Sequence, residues 1–181
     1  MNLPNKLTLA RVIAVPIFVI LYVMNLKILA FLVFIAASIT DLLDGKIARK
    51  YNLVTNFGKI MDPLADKILV YSAFCLMIEN GLVQAWMLIV ILAREFAVSG
   101  MRTVAAAEGI VVAADIFGKL KTVFQMIAVP LLILFGAFAE VHPFLDNAIF
   151  WLGEIALWIS VIMTIISGIN YIVKNKSVFS M

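Results

Sequence analysis

Apolar residues run along this chain in long unbroken stretches, without alternation and without a narrow amphipathic stripe. Six stretches, at residues 7–24, 28–47, 63–78, 83–104, 117–138 and 148–173, approach or exceed the length of about 20 apolar residues that a spanning helix needs. Polar residues interrupt them at 25–27, 49–56, 79–81, 105–115 and 140–147, and no interruption is long enough for a soluble domain. Continuous runs predict helices, because strands of a membrane barrel alternate and lipid offers no hydrogen bonds to a bare backbone. The expected fold is an all-α integral membrane protein with six transmembrane helices, forming a single domain over residues 1–181. Asn2-Leu3-Pro4-Asn5 reads as a short N-terminal interfacial segment before the first helix turns inward. Lys6 and Arg11 resemble the basic end of a secretory signal, but the apolar region is long and no small-residue cleavage site follows, so an ordinary first span is expected. Pro63 suits the first turn of a helix, which places the start of the third span near it.

Composition narrows the class. Of 181 residues, 65% are hydrophobic and 14% charged, and the mean hydropathy is +1.12, whereas a soluble domain carries about 25% charged residues. Too little polar surface remains to cover a water-facing globule, which excludes a soluble enzyme, a disordered tail and a nucleic-acid binder. The single cysteine, Cys75, cannot form an internal disulfide and reads as a packing residue. Six spans return both termini to one side of the membrane. Of the 14 lysines and arginines, all but Lys27 fall on or toward that side, so it is expected to be cytoplasmic. Glu79, Glu140, Asp146 and Glu154 fall toward the opposite side, as does the only histidine, His142, read as a loop residue.

Charges within the spans carry the chemistry, since each is costly there. Asp41 and Asp44 are three apart and share a helix face. Gly45 and Ala48 fall on that face and leave a groove without bulky side chains. Gly58, Asp62 and Asp66 follow at spacings of four. Asp41, Asp44, Asp62 and Asp66 thus sit at the cytoplasmic ends of two consecutive helices joined by a short connection. Four converging carboxylates repel unless cations are present, and oxygen ligands alone favour Mg²⁺, with Mn²⁺ possible, over zinc. Mg²⁺ commonly shares its shell with substrate phosphates, which points to a lipid diphosphate. The structural alternative is a set of ion pairs with Lys46, Arg49, Lys59 and Lys67. Further cations lie on the same side. Arg94 and Arg102 are separated by about 80° around a helix and can face one cavity, with Glu95 placed to orient an arginine. Lys119 and Lys121 are two apart, so both are not expected to reach one ligand. Anchoring to anionic headgroups is the alternative for Arg102, Lys119 and Lys121.

The run Asp41-x-x-Asp44-Gly45-x-x-Ala48-Arg49, eight residues, then Gly58-x-x-x-Asp62-x-x-x-Asp66 resembles the signature of the CDP-alcohol phosphotransferase family. The resemblance implies a six-helix membrane enzyme, usually a homodimer, with its active site on the cytoplasmic face of the cell (inner or plasma) membrane. Such enzymes move a phosphatidyl group from a CDP-linked lipid, CDP-diacylglycerol, to an alcohol and release CMP. Carried over by residue, it implies that Asp41, Asp44 and Asp62 ligate a two-metal centre, with Asp66 as a further ligand or general base. It sets Asp44, Gly45, Ala48, Arg49 and Gly58 against the CDP moiety. Asn5-x-x-Thr8-x-x-Arg11 resembles a second family segment at the edge of the nucleotide pocket. Its alternative is a helix start with an interfacial anchor.

The run from Arg94 to Arg102, Arg94-Glu95-Phe96-x-Val98-Ser99-Gly100-x-Arg102, followed by Gly118-Lys119-x-Lys121-Thr122, looks like the branch of the family that uses glycerol 3-phosphate. Independently, extra cations suit an acceptor that already bears a phosphate. Inositol phosphate meets the same requirement and stays open as the acceptor. Arg94, Arg102 and one of Lys119 or Lys121 are the expected acceptor-phosphate ligands, and no nucleic acid is expected as a partner. A membrane prenyltransferase or a cation transporter would also place aspartates in a bilayer. The first would lack the Gly45, Ala48-Arg49 and Gly58 pattern, and the second would hold its acids nearer the midplane. Gly153, Ser160, Ser167 and Gly168 are candidates for a close helix contact in the sixth span, and for a dimer contact.

Overall fold

A computed structural model describes residues 3–50, 55–107, 109 and 115–174. Among these residues each apolar run forms one helix: α1 (Leu3–Val23), α2 (Lys27–Lys50), α3 (Asn56–Glu79), α4 (Ala85–Ala107), α5 (Ile116–Leu134) and α6 (Pro143–Lys174). The protein is all-α, as expected. Among the described residues three helices, α1, α5 and α6, are long and apolar enough to cross a membrane. α2 and α3 carry the aspartate motif, and Arg94, Glu95 and Arg102 lie along α4.

Boundaries differ from the expected ones where a cap or turn overrides hydropathy. α3 starts at Asn56 and not near Pro63. Thr55 is extended (φ −112°, ψ 159°) and its hydroxyl accepts from the Gly58 N–H at 3.0 Å, satisfying one of the open donors of the first turn. Gly58, Asp62 and Asp66 therefore lie on one continuous helix. α1 is helical from Leu3, so the segment expected at the interface runs directly into it. α5 stops at Leu134, four residues before the apolar run ends, because Gly136 turns at φ +82°. α6 begins at Pro143, where a missing N–H costs nothing.

The solvent facing this chain is legible in its burial. Arg11 and Lys121 are buried, whereas Ile20, Ile89, Trp151 and Ile169 are exposed. Charged groups inside and large apolar groups outside are the arrangement that lipid favours. Cys75, read as a packing residue, faces outward on α3. Hydroxyls within the helices bond back to their own backbone: Ser38 donates to the Phe34 carbonyl at 2.8 Å and Thr164 to that of Ser160 at 2.7 Å, which removes the cost of an unpaired polar group in an apolar setting.

The chain divides into two compact units. The first comprises Met1–Leu82 and Val129–Phe150. Here α1 packs on both α2 and α3. Phe18 is fully buried at the centre, its ring 5.8 Å from that of Phe34 and 5.9 Å from that of Tyr22. The turn after α5 is held by Asp146, whose Oδ1 accepts from the Gly136 N–H at 2.8 Å and the Phe138 N–H at 3.3 Å. Lys27 donates to the Phe135 carbonyl at 2.5 Å. A Cβ on Gly136 would come within 2.5 Å of the Lys27 Nζ. Gly136→Ala is expected to cost about 1–2 kcal/mol from left-handed strain alone and to displace Lys27, read as a lower unfolding midpoint in detergent with the helical content unchanged.

The second unit comprises Val83–Ala128 and Trp151–Met181. Val98, Met101 and Tyr171 form a buried cluster between α4 and α6, and the rings of Trp86 and Trp158 lie 5.7 Å apart, tilted by 58°. Ser160, Thr164, Ser167 and Gly153 are buried along α6.

Candidate active site

In the first unit α1 presents one polar face, with Asn5, Thr8 and Arg11 three residues apart. Thr8 is fully buried and Arg11 is 1% exposed. An arginine so enclosed is not an interfacial anchor. Its Nη1 lies 2.6 Å from the Asp41 Oδ1 on α2, and the Asp41 side chain is 32% exposed. Asn5 reaches α3, where its Oδ1 accepts from the Thr55 hydroxyl at 2.8 Å. Thr55 thus links the α1 face to the capped start of α3, beside the buried Gly58. Both helices bearing the aspartate motif are tied to the segment that the sequence set beside it.

The backbone of α2 is helical through Lys50 and that of α3 from Asn56. Asp41 and Asp44 therefore share a face, as do Gly58, Asp62 and Asp66. The side chains of Asp44, Arg49, Asp62, Asp66 and Ala48, and the surroundings of Gly45, lie outside the described residues.

In the second unit the two arginines of α4 both reach α6. Arg94 is half-buried and donates from Nη2 to the Ser167 hydroxyl at 2.6 Å. Its Nη1 lies 3.4 Å from the Glu95 Oε1, and the same carboxylate oxygen pairs with the buried Lys121 of α5. Arg102, one face around α4, donates from Nε to the Tyr171 hydroxyl at 3.1 Å and lies 5.7 Å from that ring. Ser167 and Tyr171 are four apart on α6, so both arginines address one face of it. Lys119 is exposed and Lys121 buried, the divergence that their spacing predicts. Burial removes headgroup anchoring as an explanation for Lys121.

Two glycines make room for Arg94. A Cβ on Gly118 would lie 2.7 Å from its Nη2 and 3.2 Å from the Ser167 Oγ, and one on Gly168 would lie 3.3 Å from its Cγ. Of the four small residues singled out in the sixth span, Ser167 and Gly168 lie close against Arg94 of α4 in the same chain. Sequence reasoning did not foresee Ser167 and Tyr171 as arginine partners, Glu95 as the partner of Lys121, or Thr55 as a link. Only the small residues Gly153, Ser160, Ser167 and Gly168 mark α6 from the sequence.

The profile of the CDP-alcohol phosphatidyltransferase family matches residues 1–166. The chain belongs to that family. The match spans the α1 polar face, the aspartate motif and the α4 and α5 cations. A CDP-diacylglycerol–glycerol-3-phosphate 3-phosphatidyltransferase of Bacillus subtilis is 45% identical, covering 96% of this chain and 95% of its own. An enzyme of the same name from Rickettsia typhi is 44% identical over 98% of this chain and 99% of its own. A probable phosphatidylglycerophosphate synthase of Mycobacterium tuberculosis is 32% identical over 96% and 81%. CDP-alcohol phosphatidyltransferases generally use a divalent metal.

Proposed function

We propose that this CDP-alcohol phosphatidyltransferase moves the phosphatidyl group of CDP-diacylglycerol onto glycerol 3-phosphate, giving phosphatidylglycerophosphate and CMP. The observation that carries this is similarity along nearly the whole chain to relatives named for that reaction. The half-buried Arg94 and the buried Lys121 add support, since an acceptor that already bears a phosphate needs such cations.

Residues 1–181 act as one catalytic domain, with both termini and the active site on the cytoplasmic side of the cell membrane and two copies forming a homodimer. Asp41, Asp44, Asp62 and Asp66 would hold divalent cations, Mg²⁺ with Mn²⁺ as the alternative, which would supply positive charge against the diphosphate of the lipid donor. Asn5, Thr8, Asp44, Gly45, Ala48, Arg49 and Gly58 line the CDP moiety. Arg94, Arg102 and one of Lys119 or Lys121 hold the acceptor phosphate, and the burial of Lys121 favours it over Lys119. Asp66 takes the proton of the acceptor 1-hydroxyl as its oxygen bonds to the phosphorus that bears the lipid. The bond from that phosphorus to the CMP oxygen breaks, and CMP leaves.

CMP release by the purified protein in lipid micelles with Mg²⁺ and CDP-diacylglycerol tests this. Glycerol 3-phosphate, inositol phosphate, serine and no acceptor are compared. Release with glycerol 3-phosphate alone is expected. Release with inositol phosphate instead would overturn the acceptor, and no release from folded protein would overturn the reaction. Arg94→Ala is expected to raise KM for glycerol 3-phosphate about 10- to 100-fold, the value of a charge-assisted bond to phosphate. KM for the lipid should stay within about twofold, and equal rises in both would remove Arg94 from the acceptor site.

A further inference from the structure

Arg94 is held unusually firmly for a long side chain. Its stem passes Gly168 of α6, its guanidinium passes Gly118 of α5, and its Nη2 donates to Ser167 at 2.6 Å. Glu95, its neighbour on α4, takes both Arg94 and the buried Lys121 on one carboxylate oxygen. Three helices of one unit therefore contribute to the location of two cations. Arginine ordinarily loses about 2 kcal/mol of rotamer freedom when fixed. Here that loss is met in the fold itself, which is what preorganised recognition of an anion requires.

We propose that Glu95, Ser167 and Gly118 are positioning residues for the acceptor phosphate. Glu95 sets the separation of Arg94 and Lys121. Ser167 fixes the plane of the guanidinium. Gly118 supplies the clearance in which that plane sits. None of the three needs to touch the acceptor. The inference rests on the glycerol 3-phosphate reading above.

Gly118 offers the sharpest test. The atom its Cβ would meet most closely is the far end of a flexible side chain, Nη2 of Arg94. The guanidinium can swing aside at small cost to the fold. Gly118→Ala therefore separates position from stability. Misplacement by about 1 Å costs on the order of 100-fold in a positioned reaction.

The experiment compares wild type with Gly118→Ala, Ser167→Ala and Glu95→Gln as full chains in lipid nanodiscs. CMP release is titrated separately with glycerol 3-phosphate and with CDP-diacylglycerol, and the thermal midpoint is recorded with and without glycerol 3-phosphate. For Gly118→Ala the expected result is a rise in acceptor KM of about 10- to 100-fold, a lipid KM within about twofold and a ligand-free midpoint close to wild type. The midpoint rise caused by glycerol 3-phosphate should shrink with it. Adding Lys121→Gln to Glu95→Gln should cost much less than it does in wild type, because the two act through one contact. The proposal is overturned if Gly118→Ala leaves acceptor KM unchanged, if acceptor and lipid KM rise together, or if the Glu95 and Lys121 effects simply multiply. A wild type that releases no CMP with glycerol 3-phosphate would instead refute the proposed reaction. The midpoint shift then still reports on the phosphate site, and its survival in Gly118→Ala would overturn the positioning role as well.

Discussion

Asp66→Ala is expected to lower CMP release by about 10²- to 10⁴-fold, the contribution of a positioned general base, in a protein that keeps its helices. The helix that carries it has supports of its own. α3 is started by the Thr55 cap, and Ala65, Leu69, Ala73 and Met77 supply its buried side. Asp66→Asn sharpens the measurement, because it keeps the shape and one oxygen ligand but cannot accept the proton. If Asp66 serves as base, both variants lose turnover and the Mg²⁺ concentration for half-activity stays near wild type for Asn. If it serves only as a metal ligand, added Mg²⁺ recovers much of the Asn variant's rate. Substantial turnover by the alanine variant at ordinary Mg²⁺ would remove Asp66 from the chemistry altogether.

The helices were legible because span length is a one-dimensional property. Each apolar run of residues 7–24, 28–47 and so on became one helix. The aspartate motif was legible for a similar reason, since spacing along one helix states which residues share a face. The start of α3 differs from the expected one because Pro63 was the signal read, whereas Thr55, a residue type favoured as an N-cap, begins the helix. Contacts between helices were hidden for a different reason. Lys121 meets a carboxylate 26 residues away, and Arg94 a hydroxyl 73 residues away. No periodicity within either helix records the register of one against another. The spacing of Lys119 and Lys121 showed that they diverge, but only the fold shows that Lys121 is the buried one.

The pairing of Arg11 with Asp41 carries the other large effect, and it is asymmetric. Arg11 is 1% exposed whereas the Asp41 side chain is 32% exposed. Asp41→Asn leaves a buried guanidinium facing a neutral amide, at an expected cost of about 3 kcal/mol, the low end for breaking a buried pair. Arg11→Leu leaves a carboxylate with partial access to solvent, and about 1–2 kcal/mol is expected. Combining the two removes both charges and should recover most of the loss, because a buried ion pair replaced as a unit is often neutral in stability. Activity should not follow. A protein without the Asp41 carboxylate lacks a proposed metal ligand however well it folds. Thermal unfolding of the two single variants and the double variant, followed by intrinsic tryptophan fluorescence in nanodiscs, measures the first part, and CMP release measures the second. Additive stability losses would show that the 2.6 Å contact is not an energetic pair. Recovered turnover in the double variant would show that Asp41 holds Arg11 and no metal. Recovered stability without turnover would mean that α1 sustains the site by balancing charge on the first aspartate of the motif.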